Sequence, residues 1–153
     1  MKIGLIGAGR LGICLALLIE KAGYEVLASD NRVDYINSLQ KGIIDTAEPE
    51  VQQYLSDAKN IEFTTDNIRV ISECDLIFTL VATPSLADGS YDVSAVWKVI
   101  NDFKDIPILL DDKSLVIGCT TNPGDCNDFQ EALKDTGIDT VSYTHLRAHE
   151  TLD

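Results

Sequence analysis

Three glycines, Gly7, Gly9 and Gly12, stand at G-x-G-x-x-G spacing within "GLIGAGRLG", residues 4 to 12. Each has a job that the residue type suits. Gly7 permits a tight turn, Gly9 lets the backbone come close to a pyrophosphate, and Gly12 lets a helix pack closely on a strand. The N-terminus of the helix that follows would then offer unpaired N–H groups and partial positive charge to the phosphates. An acid completes the constellation. Asp30 lies 18 residues past Gly12, where a carboxylate accepts hydrogen bonds from an adenosine ribose and repels a 2′-phosphate. The pattern therefore implies a dinucleotide, NAD in preference to NADP. Arg32 reads as a solvated surface residue at a helix start, although its charge could in principle pair with a 2′-phosphate.

The elements needed to position these residues are present in order. Residues 2 to 7, "KIGLIG", read as a short buried strand ending in the turn. Leu11, Cys14, Leu15, Leu18 and Ala22 recur at helical spacing, with Gly23 suited to the C-terminal cap. "YEVLASD" is a second strand ending on Asp30, and a helix through Ile36 and Leu39 closes at Gly42. This is one βαβ unit with parallel strands. Further along, "EPEVQQYLSDAK" reads as a helix, "IEFTT" as a strand, and "DNIRVISEC" as a helix capped by Asp66. "DLIFTLVAT" reads as a central strand halted at Thr83-Pro84, and Asp92 as the cap of a helix carrying Val96, Trp97, Ile100 and Phe103. "SLVIGCT" is a strand, residues 122 to 137 a helix with Asn122 at the cap and Pro123 first inside, and "IDTVSY" a final strand. The alternation specifies an α/β fold, a doubly wound, mostly parallel sheet in a single domain over residues 1 to 143.

Composition excludes several classes. With 153 residues and 45% hydrophobic content the chain can bury a core. A formal charge of −13 argues against nucleic-acid partners, which need clustered Lys and Arg. No apolar run approaches the ~18 residues of a membrane helix, and the first residues lack a signal-peptide layout, so the expectation is a cytoplasmic protein. Cys14, Cys74, Cys119 and Cys126 show no C-x-x-C pair and read as reduced, mostly buried thiols, with no metal site expected.

The later segments narrow the chemistry. "IEFTTD", "CDLIFTLVATPSLADGSYDVSAV" and "VIGCTTNPG" follow in order, and together they resemble the N-terminal domain of the UDP-glucose/GDP-mannose 6-dehydrogenase family. Its members show a strand ending in G-T-P, a D-G-S-x-D-x-S turn and an S-T-x-P-x-G-T segment. The likeness runs from Met1 to about Tyr143. It implies a Rossmann fold with NAD as cofactor, held by Gly7, Ala8, Gly9, Arg10, Leu11, Gly12, Asp30, Val81, Ala82, Thr83, Pro84 and Thr120. It further places Thr83-Pro84 along the cofactor near the nicotinamide ribose and Thr120 beside the reacting centre, a possible active-site contact. The implied parent is a homodimer that oxidises C6 of a UDP- or GDP-sugar to the acid with two NAD. Arg10-Leu11 stands where the family commonly has Tyr-Val, Tyr35 where a lysine often assists the adenosine ribose, and Ala82 in place of glycine. Ala47 and Glu50 replace the tyrosine and glycine around Glu48-Pro49, Cys119 replaces serine, and Asp125-Cys126 replaces a Thr-Thr pair.

The last ten residues do not continue the pattern. The family would read Asn-Pro-Glu-Phe, whereas this chain reads "THLRAHETLD", which resembles a translated sequencing-adapter remnant. The expectation is a non-native tail over residues 144 to 153, with His145 and His149 lacking the companions of a zinc site. The family's nucleophilic cysteine and its helpers lie beyond this point, so the expectation is NAD binding without turnover and no catalytic residue here. Two other readings remain: the NAD-binding domain of a 6-phosphogluconate or hydroxyacid type of oxidoreductase, in which "ADGSYDVS" has no reason to appear, and a free-standing, non-catalytic NAD-binding module.

Overall fold

The computed structural model describes residues 1 to 142, with nothing described of the Ser142 side chain. The chain alternates β1 (Lys2–Ile6), α1 (Arg10–Lys21), β2 (Glu25–Ser29), α2 (Val33–Gln40), α3 (Val51–Asp57), β3 (Ile61–Thr64), α4 (Asn67–Glu73), β4 (Leu76–Thr79), α5 (Ser94–Asp105), β5 (Ser114–Ile117), α6 (Asp125–Leu133) and β6 (Asp139–Ser142). The six strands form one sheet in the order β3-β2-β1-β4-β5-β6, every pair parallel. Strand order reverses between β1 and β4, and that reversal opens a crevice at the carboxyl ends of the strands.

Side-chain alternation divides the core in two. Ile3 and Leu5 of β1 and Val26 and Ala28 of β2 pack with Ile13, Leu17, Ile36 and Leu55 of α1, α2 and α3. Ile6, Leu27, Ile77, Leu115 and Ile117 face the other way, onto Ile71, Val96, Phe103 and Phe129 of α4, α5 and α6. Successive strand residues point to opposite faces, so both faces being covered explains the near-continuous apolar runs. Trp97 and Phe129 lock α5 to α6, ring centroids 4.9 Å apart in an edge-on pair.

Some expected boundaries move. "DLIFTLVAT" pairs only as far as Thr79, because its neighbours end there: Thr79 is opposite Ile6 on one side and Ile117 on the other. Two more bonds, from the Leu80 N–H to the Ile6 carbonyl (2.8 Å) and from the Gly118 N–H to the Thr79 carbonyl (3.0 Å), close the ladder before the chain leaves it. Asp92 is not the cap of α5. Val93 is, and the Asp92 carboxylate accepts from the Ser94 N–H at 2.9 Å just outside the helix. Asn122 and Pro123 lie outside α6, which starts after Gly124 at φ 99°, a left-handed turn that glycine adopts without strain. Asp66 does cap α4, accepting from Arg69 N–H at 3.2 Å. Two of the four cysteines, Cys74 and Cys119, are buried, while Cys14 and Cys126 are partly exposed. His145 and His149 lie outside the described residues.

Candidate functional site

The glycine loop leaves the end of β1 at the point of strand reversal. Gly7 sits at φ 100°, and a Cβ there would stand 2.7 Å from the Leu80 backbone. A Cβ on Gly12 would stand 2.0 Å from the Gly7 carbonyl oxygen, so α1 can approach the turn only without a side chain. Around Gly9 the opposite holds: a Cβ would meet nothing within 4 Å. The glycine there caps α1 with no side-chain hydrogen bond, and no acid occupies the first turn. Open space lies above backbone N–H groups that have no intrahelical partner, which suits an anion.

Asp30 is tied to this loop through the backbone. The carbonyl of Ser29 accepts from both the Gly7 and Ala8 N–H groups, each at 2.9 Å, placing the next residue beside the cradle. The Ser29 hydroxyl donates to Asn67 Oδ1 at 2.7 Å, and Asn67 donates on to Asp102 at 2.8 Å. This polar chain anchors the end of β2 to α4 and α5.

Arg32 is not freely solvated. Its Nε and Nη2 donate to the two carboxylate oxygens of Asp30 at 2.7 and 2.8 Å, and its backbone N–H adds a third bond at 3.1 Å. The guanidinium carbon lies 4.1 Å from the centroid of the Tyr35 ring. The Tyr35 hydroxyl in turn donates to the Ala8 carbonyl at 2.9 Å. Burial alone would raise the Asp30 carboxyl, but the Arg32 side-chain and backbone bonds outweigh it and hold the group below its ordinary value. Burial pushes the Tyr35 phenol up. Arg10, in the fingerprint, pairs with Glu48 of the α2–α3 loop at 3.0 Å.

On the other side of the reversal, Val81, Ala82, Thr83 and Pro84 form the segment that follows β4, and Thr120 lies in the loop after β5. Both loops leave carboxyl ends of adjacent parallel strands. Val81, Thr83 and Thr120 are half-buried and Ala82 and Pro84 are exposed. Asn122 joins the two loops. Its Oδ1 accepts from the Tyr91 N–H at 2.7 Å, while its amide donates to the Tyr91 carbonyl at 3.0 Å and to Asp125 at 2.9 Å. Sequence reasoning took Asn122 for a helix cap, and its offset from "ADGSYDVS" carries no signal of the pairing. A second residue outside the expected set is Thr79, whose buried hydroxyl at the end of β4 has no hydrogen-bond partner. Among the described residues there is no cluster of three or more His, Cys, Asp or Glu able to hold a metal, and no helix is long and apolar enough to cross a membrane.

With the cradle, the acid and the two strand-end loops in place, comparison with known proteins decides the family. The model of the UDP-glucose/GDP-mannose dehydrogenase family's NAD binding domain matches residues 1–146. The chain belongs to that family. NAD is its cofactor. UDP-glucose 6-dehydrogenases from Rickettsia conorii and Rickettsia bellii are 30% and 29% identical over 141 and 142 residues, 90% of this chain in each case. The chain spans 32% of either enzyme's length. Among solved structures, GDP-mannose dehydrogenase from Pseudomonas aeruginosa shares the fold at TM-score 0.79 and 22% identity, over 93% of this chain and 35% of that one. A Mycobacterium tuberculosis 3-hydroxyisobutyrate dehydrogenase, of the type weighed as an alternative, reaches 0.62 at 13% identity, over 92% of this chain and 39% of that one. The family's match over residues 1–146 spans both the glycine fingerprint and the "ADGSYDVS" turn.

Proposed function

We propose that this chain is the cofactor-holding part of a nucleotide-sugar 6-dehydrogenase that oxidises the C6 alcohol of a UDP- or GDP-sugar to the uronic acid, and that alone it binds NAD without turnover. The observation that carries the reading is the cradle at the strand reversal, with open space at Gly9, a bare first turn of α1 and Asp30 beside it. When bound, NAD supplies the hydride acceptor, and the protein supplies binding and orientation.

In this reading the amides at the start of α1, Gly9 to Gly12, hold the pyrophosphate, and Asp30 accepts from the adenosine ribose. Val81 to Pro84 and Thr120 line the nicotinamide end, at carboxyl ends of strands where ligands of open parallel sheets bind. Three of the chain's four thiols give no support to covalent chemistry. Burial pushes Cys74 to about 11 and Cys119 to about 12 and also raises Cys14, so none of these is a thiolate at neutral pH. The likeness to the family supports a cytoplasmic, homodimeric parent whose remaining parts carry the substrate and the nucleophile.

Calorimetric titration with NAD, followed by incubation with NAD and UDP-glucose or GDP-mannose, tests both halves. The expected result is saturable one-to-one binding with no NADH formed. Absence of binding overturns the first half, and NADH formation overturns the second.

A further inference from the structure

Asp30 alone predicts exclusion of NADP, because its charge faces the position of a 2′-phosphate. The structure alters that charge balance. Both carboxylate oxygens are occupied by Arg32, at 2.7 and 2.8 Å, so the acid and its partner form a net-neutral unit. Asp30's side chain is only 8% exposed, whereas that of Arg32 is 54% exposed. The outward-facing member of the pair is therefore the cation.

Arg32 is also held in place. One face of its guanidinium lies over the Tyr35 ring, and Tyr35 is fastened to the Ala8 carbonyl of the glycine loop. Its position thus follows the position of the cradle itself. A guanidinium carries five N–H donors in a planar fork. Its side chain spends two on Asp30, which leaves three for an incoming anion. Arg32 is moreover the N-cap residue of α2, an eight-residue helix with no side-chain cap bond, so the partial positive charge of that helix start lies alongside. The opposing charge there is Asp34, the acid of the first turn.

Taking the cradle to hold an adenosine ribose at Asp30, as above, we propose that Arg32 makes this end tolerant of a phosphate on the ribose 2′-hydroxyl, so that NADP binds alongside NAD with Arg32 receiving the extra phosphate. Arg32 then sets cofactor selectivity, against the preference that Asp30 would impose unaided. Bidentate Arg–phosphate pairs are among the stronger charge-assisted contacts, and the fork geometry cannot be reproduced by lysine.

The test is parallel titration of the 153-residue chain and its Arg32→Ala and Arg32→Lys variants with NAD and with NADP at one fixed ionic strength. In the unmodified chain NADP is expected to bind within about tenfold of NAD, and Arg32→Ala to lower the NADP-to-NAD affinity ratio by about tenfold or more. Arg32→Lys should restore part of that ratio, since it keeps the charge and loses the fork. Equal weakening of both cofactors by Arg32→Ala would show a merely structural role and overturn the proposal. So would NAD binding in the unmodified chain with no detectable NADP binding. Failure of NAD itself to bind is a separate result, which overturns the reading of the cradle on which this inference rests.

Discussion

The two sides of the strand reversal are organised differently. On the β1–β2 side, the groups around the cradle are already engaged with one another: Ser29 with Gly7 and Ala8, Asp30 with Arg32, Arg32 with Tyr35, and Tyr35 with Ala8. On the β4–β5 side, Thr83 and Thr120 stand in loops beyond the last ladder bonds, and the Asn122 side chain spans from one loop to the other. The difference teaches that the first half is shaped by backbone stereochemistry and ion pairing within one βαβ unit. The second half depends on contacts between segments 31 residues apart. Substitutions should separate the two.

The largest effect is expected at Gly12. Adding a methyl group places a carbon against the Gly7 carbonyl, so Gly12→Ala should destabilise the fold by about 1–3 kcal/mol and force the loop to shift. Urea denaturation with and without NAD checks both parts; unchanged stability would show that α1 does not need this close approach. On the other half, Asn122→Ala removes bonds to both sides of Tyr91 and to Asp125, at a cost of about 1–2 kcal/mol. The sharper expectation is functional. NAD affinity should fall while the affinity for AMP, which lacks the nicotinamide half, stays the same. An equal loss for AMP would erase the distinction between the halves.

A third substitution works in the opposite direction. Glu50 sits at φ 65°, the left-handed region, as the N-cap residue of α3. Glu50→Gly should therefore stabilise the protein by up to about 1 kcal/mol, measured as a rise in the urea midpoint. The gain is reduced by loss of the bond from the Tyr54 hydroxyl to the Glu50 carboxylate.

The smallest effect is electrostatic. Arg69 and Lys2 bond to Glu73 and hold its carboxyl at about 2, down from 4.5. Its folded value is depressed, so its contribution is present above the ordinary value of 4.5 and is lost as pH falls toward 2. Glu73→Gln should flatten that part of the acid limb of stability against pH, and should leave neutral-pH NAD binding untouched.

These contrasts also mark what was legible in the sequence. The glycine spacing could be read because Gly7 and Gly12 answer local steric demands, which the structure shows at both positions. Strand and helix order followed from periodicity for the same reason. The ion pairs could not be read. Nothing in the spacing of Asp30 and Arg32 says that the arginine turns back onto the acid, and Arg10 meets Glu48 only through the fold. Asn122 looked like a cap because Asn before Pro suits one, but Gly124 caps α6 and frees the Asn122 side chain to brace Tyr91. The site positions after β4 and β5 were legible through likeness to the family and through their place at carboxyl ends of strands, since the spacing of Thr83 and Thr120 carries no signal of its own.

The most direct test of the account is amide chemical-shift mapping of the chain titrated with NAD. The account predicts the largest shifts at Gly7 to Gly12 and Asp30 to Arg32, with a second group at Val81 to Thr83 and Thr120. Saturable shifts confined to another surface, such as the Gly42–Phe63 side of the β3 edge, with the glycine loop unmoved, would contradict it.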